Sequence, residues 1–393
     1  CEDKKMKLFQ RLLVAPAALG LLAPMTANAN EVNLNEISNY SDIDSIEFAN
    51  SFNNDSLAES PLIAGGEGLM DDHDHGPEDS FSSTTSASFS VDMAIGAESG
   101  NDADGNTSDG SSEAIGTAYG YQIDLSTTFT GEDALSVSLD AGAGAGALGE
   151  LDLNSGGDGL TVDGITYSFP LGEKTTVLVG DSTDGSALYS TACVYGGFTN
   201  TLDDCGNFTS AFTSATDGAS LSASYDIGNG FTGALGYTGE GTGTNGLMTK
   251  EGADTYGAQI AYSSDNYGAS VTYADTDSAS AWGLNAYYTF DDASVPSLSV
   301  GYEFTENEGT TADQTQWFAG LQWDEVGPGS LGIAAGTKGP QSDGSTEEMA
   351  YEAFYAYPVN DSMTITPGIY QLENSGTGEE DETGVVVKTS FSF

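Results

Sequence analysis

The side chains best suited to chemistry are two cysteines and two histidines. Cys193 and Cys205 stand in ACVYGGFTNTLDDCG, and His73 and His75 lie among carboxylates in MDDHDHGPED. In an exported protein such a cysteine pair favours a disulfide, with two free thiols as the alternative. The cysteines lack nearby histidines and zinc-site spacing, so metal binding there is not favoured. We interpret the histidine segment as acidic linker, because it offers too few fixed ligands, and we predict no metal or other cofactor.

Carboxylates dominate the charge of the chain. Its 393 residues include 60 Asp and Glu against 8 Lys and Arg, a formal charge of −52. This balance argues against nucleic-acid binding, which needs Lys and Arg for phosphate contacts. It does not indicate catalysis, because an acyl-transfer site would need a base such as His, and both histidines precede residue 80. The sequence has no Gly-x-Ser-x-Gly elbow and no P-loop, so we predict that the chain is not an enzyme.

The N-terminal residues predict export. Residues 7–29 combine a charged start, an apolar stretch and the small-residue site Ala27-Asn28-Ala29, the pattern of a secretory signal peptide. The apolar stretch is about 12 residues, shorter than the ~20 of a membrane-spanning helix. We predict that residues 1–29, a short read-through plus the signal peptide, are removed. Residues 30–80 are predicted to be an acidic, partly disordered periplasmic segment, and residues 81–393 the main domain.

The elements that position the acidic side chains are predicted to be strands. From Ser86 onward, apolar and polar residues alternate in sixteen runs, and no residue that we assign to an apolar face is charged. The connections mostly alternate between short turns and long loops. An even number of antiparallel strands of about 10 residues with this alternation is typical of an outer-membrane barrel. The sequence thus predicts an all-β fold: a transmembrane antiparallel β-barrel of 16 strands with short periplasmic turns and long extracellular loops.

Soluble folds fit this pattern less well. A secreted β-sandwich alternates too, but its outer face is partly charged. GGDGLTVDG at 156–164 suggests a calcium-binding β-roll, yet this nonapeptide does not repeat. Pro367 is a misfit inside a predicted strand, because it lacks an amide donor, and we expect a β-bulge there.

Aromatic residues mark the ends of the predicted strands. Outer-membrane barrels carry aromatic girdles at both membrane interfaces. The girdle beside the short turns and the C-terminus is predicted to contain Phe129, Phe169, Tyr225, Phe231, Tyr262, Tyr267, Phe290, Trp323, Tyr357 and Phe393.

The polar faces of the strands are expected to line a water-filled lumen. The candidate pore-lining residues are Asp92, Gln122, Asp124, Asp140, Asp226, Glu303, Gln322, Glu352 and Lys388. Acids outnumber the single base, and a low-dielectric wall focuses the field of acids into a lumen. The pore is therefore expected to prefer cations to anions.

The longest connection, residues 182–218, is expected to fold into the barrel as a constriction loop. A long loop without secondary structure in a compact fold is normally functional. Its candidate residues are Asp184, Cys193, Asp203, Asp204 and Cys205. The disulfide would restrict the loop by a few kcal/mol on the loop-entropy model. The alternative is a mobile external loop.

Three segments carry a family resemblance. The signal region MKLFQRLLVAPAALGLLAPMTANANEVNLN, the turn motif ITYSFPLGEKTTVLVG and the terminal VVVKTSFSF resemble cyanobacterial outer-membrane porins. These are relatives of the carbohydrate-selective (OprB-type) porins, also labelled iron-uptake porins. The resemblance implies a homotrimer in outer-membrane lipid that passes small ions and solutes, possible cargoes being iron species and carbohydrates. Larger members carry a peptidoglycan-binding domain after the signal peptide. Residues 30–80 contain no recognisable version of it, which argues against peptidoglycan contact.

A second function keeps the same strand pattern. A plugged or structural outer-membrane barrel could act as an adhesin or surface protein. Strand number separates the two, because sixteen strands leave an aqueous channel whereas eight are filled by side chains.

Overall fold

The structure is a computed structural model that describes residues 84–99, 114–143, 148–151, 153–154, 157–207, 218–241, 246–249, 252–292, 294–376 and 380–393. The predicted signal peptide and the acidic segment 30–80 lie outside the described residues.

One antiparallel sheet contains every described strand. Its strands are β1 (Thr85–Ser99), β2 (Gly116–Thr127), β3 (Ala134–Gly142), β4 (Gly157–Pro170), β5 (Thr175–Thr183), β6 (Gly218–Gly228), β7 (Phe231–Gly239), β8 (Asp254–Ser263), β9 (Tyr267–Thr276), β10 (Ala279–Tyr288), β11 (Ser297–Asn307), β12 (Gln314–Val326), β13 (Gly329–Thr337), β14 (Gln341–Ser342), β15 (Met349–Asn360), β16 (Met363–Leu372) and β17 (Glu382–Ser392). Two short helical turns, Gly149–Leu151 and Asp204–Asn207, lie in loops.

The first and last strands close the sheet into a barrel. Strand β1 pairs with β2 on one side and with β17 on the other, from Ser90↔Ser392 to Ser99↔Thr383. Closure pairs β1 and β17, the strands that would otherwise form the two edges of the sheet. The sixteen long strands coincide with the sixteen predicted ones, so the predicted fold is confirmed. The two-residue β14, which pairs with β12 inside the β13–β15 connection, was not predicted.

Turn chemistry fixes the short connections. In the β6–β7 hairpin, Asn229 and Gly230 both have positive φ, 55° and 84°. Two-residue turns of this kind match the twist of the flanking strands and favour Asn-Gly. One connection on the long-loop side departs from the expected alternation. Strands β9 and β10 are joined by two residues, Asp277 and Ser278.

Period two separates two chemically different faces. Large apolar side chains point outward and remain exposed, for example Leu235 at 64% and Ile260 at 60%. The polar positions between them face the interior. Such a surface suits a hydrocarbon solvent, because apolar area gains nothing from facing water.

None of the helices in the described ranges is long and apolar enough to cross a membrane.

Pro367 does not produce the expected bulge. Its register with β17 is continuous, with Pro367 opposite Val387. On the other side, the bridges to β15 stop at Phe354↔Gly368 and resume at Tyr357↔Ile365 without a shift. A ladder that skips these positions has no need of the amide donor that proline lacks. The expectation of a bulge was therefore wrong, and a local gap in the ladder takes its place.

Candidate functional site: the barrel interior

Three neighbouring strands place an acidic patch on the inner wall. Asp92 on β1, Asp124 on β2 and Asp140 on β3 face inward and are partly exposed. Gln122 donates to both carboxylate oxygens of Asp124, at 2.9 and 3.1 Å, and Ser138 Oγ donates to its Oδ1 at 2.7 Å. These bonds fix the carboxylate of Asp124 in one orientation on the wall.

A threonine of the next strand extends this patch. Thr161 Oγ1 on β4 donates to Asp140 Oδ1 at 2.7 Å. In the register of β2 and β3, Gln122 lies directly opposite Asp140. The patch is therefore a continuous polar strip across β1 to β4. The donors to Asp124 and Asp140 described above are the neutral side chains of Gln122, Ser138 and Thr161.

Two further predicted pore residues lie elsewhere. Asp226, at the end of β6, is exposed and accepts a bond from Gly228 N at 2.8 Å, so it also orders the β6–β7 turn. Lys388, on β17, is partly exposed, and its Nζ lies 6.0 Å from the centroid of the Phe198 ring. At that distance the base is directed at an aromatic face of the β5–β6 loop.

Glu303 and Glu352 point inward but are covered. They are 2% and 3% exposed, and at Glu352 the covering residues belong to a loop. Glu352 Oε1 accepts bonds from Tyr195 Oη at 2.7 Å and Phe198 N at 3.0 Å. Its Oε2 accepts from Thr199 N at 2.9 Å and Thr199 Oγ1 at 2.6 Å. The carboxylate of Glu352 is thus committed to four donors of one loop.

That loop, β5–β6 (residues 184–217, described to 207), bonds to inward-facing side chains along its course. Ser190 N donates to Gln259 Oε1 at 2.7 Å, and Gln259 Nε2 donates back to Ser190 O at 2.9 Å. Val194 N donates to Ser299 Oγ at 3.1 Å, and Gly196 N to Gln322 Oε1 at 2.8 Å. These partners lie on β8, β11 and β12, so the described part of the loop runs along the inner wall.

The predicted loop residues fall into three groups. Cys193 and Cys205 form a disulfide with their Cα atoms 6.0 Å apart, and Cys205 is fully buried. Asp204 is exposed, whereas Asp203 is partly buried and donates its amide to Thr199 O at 2.9 Å. Asp184 begins the loop and accepts from Ser186 N at 2.6 Å. Asp203 and Asp204 therefore flank the disulfide, and Asp184 is distant from it in sequence.

Burial lowers the acidity of the loop tyrosine that meets Glu352. Loss of hydration raises the pKa of Tyr195, and the charge of Glu352 together with the hydrogen bond to it adds to the effect. The hydroxyl of Tyr195 therefore stays protonated and donates throughout the physiological pH range.

A second loop enters the barrel, which the sequence reasoning missed. Leu148, Leu151 and Leu153 of the β3–β4 loop (residues 143–156) are at most 2% exposed. They share one apolar cluster with loop residues such as Tyr195 and with wall residues of β12 to β17. In the sequence, the available signal was the three leucines of LGELDLN themselves, which are too few to show a period.

The neighbours of Glu150 in this second loop shift the pKa of its carboxyl group. Loss of hydration raises the pKa of Glu150, and the hydrogen bond from Thr201 opposes that rise. Glu382 and Glu352 raise it further, whereas Lys338 lowers it. Glu150 is therefore an acid held among other acids, on the inner side of the barrel.

Another inward acid, Glu98, was also missed. It follows Asp92 at a spacing of six on the same face of β1, so the period-two rule would have included it. Glu98 is 3% exposed, and Tyr370 Oη on β16 donates to its Oε2 at 2.8 Å.

The predicted girdle residues lie where the short turns meet the strands. Ring contacts join many of them, such as Phe231 with Tyr262 at 4.8 Å and Tyr262 with Tyr267 at 5.5 Å. Phe89 and Phe393 stack at 5.8 Å where β1 meets β17. Their position at the lipid headgroups stays a prediction.

Across the described ranges, no three His, Cys, Asp or Glu side chains are grouped to hold a metal ion.

Comparisons with known proteins agree on the barrel. Residues 78–377 match the Gram-negative porin family. Among solved structures, OprB of Pseudomonas putida at high pH has a TM-score of 0.57 at 12% identity, covering 79% of this chain and 94% of that chain. The anion-selective porin from Comamonas acidovorans has a TM-score of 0.55 at 15% identity, covering 79% of this chain and 100% of that chain. At these identities the likeness shows the fold alone.

A curated relative comes from Nostoc sp. (strain PCC 7120). This uncharacterized protein is 27% identical over 129 residues, which is 30% of this chain and 22% of that relative. The match spans under a quarter of the relative's length.

Proposed function

We propose that this chain, which belongs to the Gram-negative porin family, is a channel for small inorganic cations and small neutral solutes. The solutes would cross by passive diffusion through an acidic lumen. The family match and the barrel fold support an outer-membrane channel for small solutes. The preference for cations, the narrowing by the β5–β6 loop and the identity of the solutes are what we propose.

The observation that carries the proposal is the acidic strip of Asp92, Asp124 and Asp140. These carboxylates are partly exposed, and the donors that fix Asp124 and Asp140 are neutral, so the charges are not cancelled by ion pairs with them. Lys388 is the base on a predicted pore-lining position, and it faces the Phe198 ring. Fixed acids in a low-dielectric wall attract cations and repel anions.

Selectivity also requires a narrow passage. At physiological ionic strength the Debye length is about 8 Å, so fixed charges act weakly across a wide lumen. The hydrogen bonds of the β5–β6 loop along the inner wall support a constriction there. Neutral solutes such as carbohydrates are indifferent to the sign of the field. Hydrated iron species would be favoured as cations.

A planar-bilayer measurement tests the preference for cations. The reversal potential in a salt gradient should show cation selectivity for the wild type and reduced selectivity for Asp124→Asn with Asp140→Asn. The matched control is Asp292→Asn, because Asp292 lies in the β10–β11 turn and accepts bonds from Ser294 of the same turn. Anion preference in the wild type would refute the proposal. Asp203→Asn with Asp204→Asn reports separately on the contribution of the loop.

The apolar cluster inside the barrel supports a second candidate function, that of a plugged or structural barrel. Sixteen buried residues of two loops and the inner wall pack together there, an arrangement that would also suit a plugged or structural barrel. The same bilayer experiment decides between the two. A folded barrel without measurable conductance would favour the plugged form.

Export and assembly belong to the same proposal. The signal-peptide pattern supports cleavage before Asn30, which N-terminal sequencing of the mature protein tests. The family resemblance supports a homotrimer, which chemical cross-linking in the native membrane tests. If the protein still migrated only at the monomer mass after cross-linking, the trimer would be refuted.

A further inference from the structure

We infer that the inner segment of the β3–β4 loop (residues 148–151 and 153–154) is a second constriction element, and that Glu352 is the positioning residue that seats both loops on the barrel wall. The inference rests on the proposed channel function, because a constriction has meaning only in a conducting pore. It assigns the narrow part of the channel to two loops that act as one unit.

Hydrogen bonds join the two loops directly. Asn200 N donates to Glu150 O at 2.7 Å, and Thr201 Oγ1 donates to Glu150 Oε2 at 2.8 Å. The residue just before this pair is Thr199, whose amide and hydroxyl both bind Glu352. A continuous chain of bonds therefore runs from the wall through the β5–β6 loop to the β3–β4 loop. We therefore expect a displacement at Glu352 to affect both loops.

Apolar packing joins the same segments. Leu151 is fully buried, and it shares a cluster with Tyr195, Phe198 and Leu202 of the β5–β6 loop. On the wall side, Phe198 stacks on Phe354 with centroids 5.8 Å apart. Each loop thus buries apolar side chains that would face water without the other loop, so the loops stabilise each other.

The wall is shaped to receive both loops. A Cβ at Gly120 on β2 would lie 2.8 Å from the carbonyl oxygen of Leu153, and a Cβ at Gly142 on β3 would lie closer still to the same residue. At Gly320 on β12 it would meet the Tyr195 ring at 2.8 Å. Real Cβ atoms do not approach so closely, so only glycine admits the loops at these positions. Such close seating on three strands is not expected of loops that extend into a lumen without packing on its wall.

Substitution of Glu352 should disturb the seating of the loops. Both of its oxygens accept a backbone amide, from Phe198 and from Thr199. In Glu352→Gln, the amide nitrogen must replace one oxygen, and a nitrogen donor cannot accept from a backbone amide. One loop amide then loses its acceptor in a buried setting.

Hydrogen exchange measures whether the loops are one unit. In Glu352→Gln, the amides of residues 148–151, 153–154 and 198–203 should exchange faster together, by about tenfold for a lost hydrogen bond to a charged group. Glu98→Gln is the matched control, since it removes an equally buried inward carboxylate, one that accepts a hydrogen bond from Tyr370 on the wall strand β16. Faster exchange of residues 198–203 alone would overturn the coupling.

Conductance tests the role in constriction. Leu151→Ser removes a buried apolar side chain of the β3–β4 loop and should loosen that loop. The variant should therefore show a higher single-channel conductance or more current noise. Heat-modifiable mobility on a gel checks that the barrel is folded. Unchanged conductance in a folded Leu151→Ser barrel would overturn the second constriction, whatever the exchange data show. A wild type that fails to conduct would instead count against the proposed function, so the two failures are distinguishable.

Discussion

At the scale of single residues, Asp133 is the clearest case of a carboxylate used for structure. It lies in the β2–β3 turn, where its Oδ1 accepts from Thr128 Oγ1, Phe129 N and both the amide and hydroxyl of Thr130. Its Oδ2 accepts from Tyr167 Oη on β4 at 2.7 Å. One side chain thus orders a turn and ties it to the next hairpin.

These bonds predict a pH signature. Loss of hydration raises the pKa of Asp133, but the hydrogen bonds from Thr130 and Tyr167 outweigh it and hold the pKa well below its ordinary value. A lowered folded-state pKa stabilises the fold above the unfolded pKa of about 3.9 and loses that effect as the pH falls through the folded value. Asp133→Asn should therefore lower the urea midpoint of unfolding at pH 7, and the gap to wild type should shrink below pH 4.

The control for this prediction is Glu132→Gln, an exposed neighbour in the same turn. It should leave the midpoint unchanged at both pH values. A gap for Asp133→Asn that is equally wide at pH 3 and pH 7 would contradict the assigned charge effect.

The sequence correctly predicted which side chains face the barrel interior, but it did not predict which of them are buried beneath a loop. The period of two assigned Asp92 and Glu352 to the inner face, because successive side chains in a strand point to opposite sides. It could not reveal that Glu352 is buried, since the residue that covers it, Tyr195, is 157 positions away. Coverage is a long-range property, and a local pattern carries no information about it.

At the scale of elements, the disulfide supports the β5–β6 loop from within. It joins Cys193, two residues before Tyr195, to Cys205 in the helical turn that follows Leu202. Cross-linking limits the states open to the loop. Reduction, or Cys193→Ser with Cys205→Ser, should therefore increase open-channel noise while the barrel stays folded, since no strand depends on the bond.

Single-channel recording with and without a reductant checks this. The double variant is its own control, because reductant should change nothing further once both cysteines are gone. Identical noise in wild type and double variant would mean that the hydrogen bonds to Glu352, Gln259 and Ser299 suffice to hold the loop.

The strands were predictable as elements, and the loops only in part. Alternating residues and turn chemistry at Gly228-Asn229-Gly230 are local signals, and they located the sixteen long strands correctly. The β3–β4 loop was missed because its three leucines are too few to show a period. Their burial depends on a partner loop, as the bond between Glu150 and Asn200 illustrates.

At the scale of the whole molecule, the barrel reverses the usual arrangement of polar and apolar side chains in a water-soluble protein. Its polar residues and its apolar loop cluster lie inside, whereas side chains such as Leu235 and Ile260 stay exposed on the outer surface. The predicted family and the predicted 16-strand barrel are confirmed by the family match and the closed sheet. They could be predicted because the bilayer excludes charge from one face of every strand, and this constraint is visible in sequence.

The same constraint gives a prediction about strand β7. Leu235 lies at its middle and faces outward, whereas Thr232 is on the opposite, inward face of the same strand and is exposed. Leu235→Arg places a charge in the hydrocarbon, which costs about 2–4 kcal/mol near the bilayer midplane. Thr232→Arg places the same charge in the lumen, where water solvates it. Urea titration of folding into lipid vesicles should therefore show a lowered midpoint for Leu235→Arg alone, and the reversal potential should shift toward anions for Thr232→Arg alone. Equal midpoints for the two variants would mean that the exposed face of β7 does not contact lipid.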